Sequence, residues 1–182
     1  MEEADLIFFA GGEDVDPSVY GQPVHPTTYF NTKRDDQEIS VYKQAVKLNK
    51  KILGVCRGSQ LICAMQPDGM LVQNQPNNHS YHNMFTHKGE ELLVSSTHHQ
   101  AQYPFNMKKE NYNVIGWTEN LHKYHQDGNN KELSPSQECE IVHYPNGNAL
   151  GIQSHPEYMD YDHNSNIWMR SLLNNFMNDE KL

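Results

Sequence analysis

Apolar positions along this chain come in short runs, many β-branched, separated by polar stretches, and their spacing changes from run to run. Leu6-Ile7-Phe8-Phe9 stops at Ala10-Gly11-Gly12 and predicts a strand ending in a glycine turn. A Pro- and Thr-containing loop, Pro17 to Thr32, follows. Arg34-Asp35-Asp36-Gln37-Glu38 then opens a predicted helix: Asp35 and Glu38 have capping-box spacing, and Ile39, Tyr42 and Val46 form an apolar stripe opposite Lys43, Lys47 and Asn49. Lys50-Lys51 leads into Ile52-Leu53-Gly54-Val55, a second strand, and Leu61-Ile62-Cys63-Ala64-Met65 continues as a helix. The strand-helix-strand order implies parallel pairing.

From Pro67 to Ala101 the pattern is polar and predicts irregular chain, apart from Glu91-Leu92-Leu93-Val94. Val114-Ile115-Gly116-Trp117 reads as a strand, and Asn120 to Ser136 as an exposed loop. Glu140 to Tyr144 and Ala149 to Gln153 flank Pro145-Asn146-Gly147-Asn148, whose Asn-Gly signals a hairpin. Trp168, Leu172 and Phe176 recur at helical intervals in a last helix from Asn166 to Met177, packing against the sheet. The sum is an open α/β sheet.

At 182 residues the chain fits one domain, 1–182, without an internal repeat or linker. Fourteen basic and twenty-three acidic residues give a net charge of −9, which opposes binding to nucleic acid or anionic membrane surfaces. No apolar stretch is long enough to span a bilayer, and Met-Glu-Glu-Ala-Asp has the wrong charge for a signal peptide, so a soluble, cytoplasmic protein is expected. Cys56, Cys63 and Cys139 form no disulfide framework and lack zinc-ligand spacing. His79, His82, His87 and the His98-His99 pair could supply imidazole ligands, but polar surroundings favour solvated or wall roles, and no metal is expected.

Cys56 changes the picture most. It stands at the apex of Gly54-Val55-Cys56-Arg57-Gly58, between strand and helix, where a tight elbow needs neighbours without bulk. Its position at a helix N-terminus is expected to lower its pKa and make it a reactive thiolate, although a free cysteine ending a core strand is also commonly inert. Near the other end, Gly151-Ile152-Gln153-Ser154 runs into His155-Pro156-Glu157. His155 can take a proton from a thiol near neutral pH, and Glu157 can fix its tautomer through the other ring nitrogen.

Together these segments resemble the class I glutamine amidotransferase superfamily, and nearly the whole chain is covered. The opening from Ala4 to Gly21, with Gly11-Gly12 and Asp14-Val15-Asp16-Pro17, is similar to the gamma-glutamyl hydrolase branch, as are Arg57 and Thr97-His98-His99-Gln100. The resemblance implies a flavodoxin-like open, mostly parallel sheet with helices on both faces and an added antiparallel hairpin, with Pro67 to Ala101 similar to the family's active-site wall and an added antiparallel segment. It implies Cys56 as nucleophile, His155 as base and acid, Glu157 as its orienting group, and the amides of Gly12 and Arg57 as oxyanion hole. Gln60, His98 and His99 match substrate-binding positions, the alternative for Gln60 being an ordinary first-turn helix residue. No cofactor is implied.

Arg57 could meet a substrate carboxylate or bridge local carboxylates. Glu13, Asp14 and Asp16 could attract a cationic amine or serve the turn. The implied reaction is hydrolysis of a gamma-glutamyl amide or glutamine, with a glutaminase subunit feeding a synthase, or a non-catalytic binding module, as rivals. Relatives carry further elements before the Gly-Gly strand, so a sheet edge is expected to be exposed here, open to a homodimer or a partner chain.

Overall fold

Residues 1, 3–75, 80–119, 127–135 and 137–182 are described by the computed structural model. Strands β1 (Leu6–Phe9) and β2 (Lys51–Val55) are parallel, joined through helix α1 (Thr32–Lys47). Helix α2 (Arg57–Ala64) starts directly after Cys56, and β3 (Met70–Val72) follows. Strands β4 (Ser80–Thr86), β5 (Glu91–Ser96), β6 (Ala101–Tyr103), β7 (Asn113–Thr118), β8 (Glu138–Tyr144) and β9 (Ala149–Ile152) come next, and helix α3 (Asn164–Met177) closes the order. The main sheet runs β1-β2-β9-β8-β7-β4-β5, while β3 and β6 pair separately.

Alternation along the strands of the main sheet builds a core on each of its faces. In β2, Ile52 faces one way and joins Tyr42, Ala45, Leu61 and Ile62 from α1 and α2. Leu53 and Val55 face the other way and join Leu150, Ile152 and the Met169, Leu172 and Phe176 stripe of α3. Leu61 and Ile62 are fully buried, each removing about 2 kcal/mol of apolar exposure from water. Helices therefore cover both faces, as the resemblance implied.

The parallel part is β1-β2-β9, and β8-β9 is the expected hairpin, turned by a 3₁₀ segment over Pro145–Gly147 with Asn148 at φ 47°. The antiparallel share is larger than one hairpin, because β7, β4 and β5 extend the sheet. The stretch read as irregular thus contains β3 and β4 as well as β5. In β4, buried His82, Met84 and Thr86 alternate with exposed Tyr81, a period of two hidden by polar residues on the inward face. His82 is tolerated there because its ring bonds Glu140 of β8 at 2.9 Å.

Three further expectations are corrected. The cap of α1 is Asn31, which accepts the amide of Arg34; Asp35 lies inside the helix and faces inward. Ala45 is buried where Val46 was expected, and Val46 is 39% exposed. Asp127, within the predicted exposed loop, is buried and accepts the amides of Asn129 and Lys131, while 120–126 and 136 lie outside the described residues. Among the described residues, no helix is long and apolar enough to cross a membrane.

Candidate active site

Backbone geometry sets Cys56 apart from the rest of β2 and α2. Its φ is 53° with ψ −113°, a conformation that costs a non-glycine residue about 1–3 kcal/mol. The elbow is held by close backbone approaches. A Cβ added at Gly54 would stand 2.3 Å from the Gly58 carbonyl, and one at Gly58 would stand 2.1 Å from the Phe9 carbonyl oxygen. The amide of Cys56 donates to Ile152 at 2.8 Å, and its carbonyl accepts the amide and hydroxyl of Ser59.

His155 arrives from the neighbouring strand, three residues past β9. Because Val55 lies opposite Ile152, the two chain exits open on the same end of the parallel sheet. Their side chains crowd Gly11: a methyl placed there would be 3.5 Å from the Cβ of Cys56 and 3.1 Å from Cε1 of His155. Nδ1 of His155 bonds Glu157 Oε1 at 2.6 Å, which leaves Nε2 as the free ring nitrogen. Tyr158 stacks on the ring at 4.7 Å between centroids. Ser95 clasps the backbone, donating to the His155 carbonyl at 2.6 Å and accepting its amide at 3.1 Å. Sequence reasoning missed Ser95 and Tyr158, since a serine in a strand and a tyrosine after a Pro-Glu turn carry no local signature.

A cavity of about 200 Å³ adjoins the thiol, with Gly12, Tyr29, Gln60, His98 and His99 on its wall. Gln60 is buried and donates to the carbonyl of Gln100. His98 bonds the same carbonyl through Nδ1, and burial lowers its pKa, so the ring is neutral. His99 pairs with both oxygens of Asp14, at 2.9 and 3.1 Å, which holds it above the usual histidine range. Asp14 also accepts the amide of Tyr29, and Asp16 caps the 3₁₀ turn at Ser18. Two of the three acidic residues in that loop therefore serve its structure. Among the described residues, no three His, Cys, Asp or Glu side chains converge as metal ligands; His79 lies outside them.

Arg57 is resolved in favour of local bridging. It is 1% exposed, and its guanidinium pairs with Asp35 and Glu38 of α1. A substrate carboxylate cannot reach it without breaking those pairs. Its amide, by contrast, donates toward the Cys56 sulfur.

The expected thiolate is also corrected. Burial pushes the Cys56 thiol up to about 11, the Arg57 amide pulls it down by less, and Glu157, Asp14 and Glu140 add repulsion. Burial outweighs the lowering by the Arg57 amide at the helix start, so the resting group is a neutral thiol that needs a base. Because the thiolate fraction rises with pH below that pKa, alkylation of Cys56 by iodoacetamide is expected to accelerate about tenfold per pH unit from 7 toward 10. A plateau below pH 8 would show a preformed thiolate.

The chain as a whole has relatives among known proteins. Residues 1–157 match the peptidase C26 family. Protein NtpR of Enterococcus hirae is 30% identical over 158 residues, covering 85% of this chain, and the chain spans 62% of that relative's length. Among solved structures, the glutaminase domain of Trypanosoma brucei CTPS with bound acivicin superposes with a TM-score of 0.59 at 12% identity, covering 100% of this chain and 74% of that one. A glutamine amidotransferase from Thermotoga maritima gives 0.55 at 14% identity, covering 98% and 66%. These likenesses establish a class I glutamine amidotransferase fold, and the match over residues 1–157 places the chain in the peptidase C26 family.

Proposed function

We propose that this chain hydrolyses gamma-glutamyl amides through a glutamyl thioester on Cys56. The observation that carries the reading is a cysteine on a strained elbow and a histidine, its Nδ1 held by Glu157, whose side chains both close on Gly11. Nε2 of His155 takes the thiol proton as sulfur attacks the side-chain carbonyl carbon. Charge then builds on the carbonyl oxygen, where the amides of Gly12 and Arg57 would receive it, each contributing about 3 kcal/mol. Collapse breaks the C–N bond, and His155 returns the proton to the departing amine. Water attacks the thioester with His155 again as base, releasing glutamate and restoring the thiol. A neutral resting thiol suits this sequence, since proton transfer and attack are then coupled.

The test is glutamate release from gamma-glutamyl amines, glutamine and folate-type polyglutamates, with mass spectrometry after a glutamine-like electrophile. Release from one class and a single adduct on Cys56, with buried Cys63 and Cys139 unlabelled, is the expected result. Release from none, or an adduct elsewhere, would sink the reading. Turnover of glutamine alone, awakened by a synthase chain, would move the protein to the glutaminase-subunit class.

A further inference from the structure

Helix α1 reaches both halves of the oxyanion hole through one chain of charged groups. Arg34 donates from Nη2 to the carbonyls of Gly11, at 3.1 Å, and Ala10, at 3.4 Å. Its Nε bonds Glu38 Oε1 at 2.9 Å, and the other oxygen of Glu38 holds the buried guanidinium of Arg57. Asp35 takes the second arm of Arg57 and also accepts the amide of Asp16. The Arg34 guanidinium packs closely on Gly12, where a Cβ would come within 2.0 Å of Nη1.

Peptide planarity turns this contact into an aim. The Gly11 carbonyl and the Gly12 N–H belong to one trans peptide and point in opposite directions. Holding the carbonyl on the α1 side therefore directs the N–H to the other side, and Gly12 borders the cavity that contains Cys56. Gly12 has φ 150°, in a region open to glycine, so without a restraint this peptide has little to stop it rotating. We propose that Arg34 is a positioning residue that fixes the Gly11–Gly12 peptide with its N–H toward the reacting carbonyl, in register with the Arg57 amide. The inference rests on the thioester reading for the roles of Gly12 and Arg57.

Two reactions of the same sulfur separate positioning from general structure. Acylation of Cys56 by p-nitrophenyl acetate passes through a tetrahedral oxyanion: sulfur bonds the acetyl carbon, p-nitrophenolate leaves, and His155 takes the thiol proton. Alkylation by iodoacetamide displaces iodide and forms no oxyanion. In Arg34→Met, acylation is expected to slow about tenfold to a hundredfold, while alkylation stays within about threefold of wild type. Arg34→Lys keeps the charge but cannot hold the Gly11 carbonyl and Glu38 at once, so a smaller loss is expected; it carries the test should the methionine variant not fold.

Equal slowing of both reactions, unchanged acylation, or a wild type that p-nitrophenyl acetate does not acylate at Cys56 would each overturn the proposal. A shifted ratio in a protein silent toward every gamma-glutamyl amide would keep the oxyanion assignment and remove the substrate reading. Turnover of such amides with an unshifted ratio would do the reverse.

Discussion

Replacing Cys56 with alanine is expected to lower gamma-glutamyl amide hydrolysis by at least about 10⁴-fold, because no thioester can form and the oxyanion donors alone retain little of the rate. The fold should survive, since a buried thiol is exchanged for a smaller apolar group at an unchanged backbone position. Adding His155→Ala to Cys56→Ala should cost almost nothing more, as the two act as a unit and the base has no proton left to take. The measurement is initial rate of glutamate release for the two single variants and the double variant, with thermal melts to show that each is folded. Losses that multiply in the double variant would mean that Cys56 and His155 work separately.

The second large effect concerns stability. Gly58→Ala should destabilise the protein by at least about 3 kcal/mol, because the new methyl would lie 2.1 Å from the Phe9 carbonyl oxygen and 2.7 Å from its carbon. Those atoms are backbone of β1 and cannot rotate away as a side chain would. Relief requires α2 to move off the sheet, which also shifts Cys56 and parts Gly54 from its contact with Gly58. Urea unfolding should show a lowered midpoint with an unchanged slope, accompanied by loss of turnover. A midpoint close to wild type would mean that the helix and β1 are not so closely apposed.

How much of this could be read from residues alone depended on how local each signal was. The elbow was legible because Gly54, Cys56 and Gly58 encode a backbone shape within five positions, and His155 with Glu157 because their bond spans only two residues. The β8-β9 hairpin was marked by its own turn. Arg57 stayed ambiguous because its partners, Asp35 and Glu38, lie 22 and 19 residues away. The capping-box spacing of those carboxylates suggested the wrong use for them, while Asn31, just upstream, was the cap.

The thiol failed for a related reason: a helix N-terminus can be seen in sequence, whereas the depth of burial that overrides it belongs to the packed molecule. Strand β4 escaped notice because its inward face carries His82 and Thr86, whose partners Glu140 and Glu90 offset the loss of water. Arg34 gave no hint of its contacts, since carbonyls of a glycine turn have no sequence signature as acceptors.

The pairing of β2 with β9 has a consequence for how the protein can fail. Leu53 opposite Leu150 and Val55 opposite Ile152 specify one alignment of two segments lying almost a hundred positions apart. Sliding either by a single step would carry the imidazole about 3.3 Å along the sheet and turn its neighbours inside out. Catalytic rate is thus a fine ruler for strand alignment, able to report a mispaired population whose helix content and compactness look native.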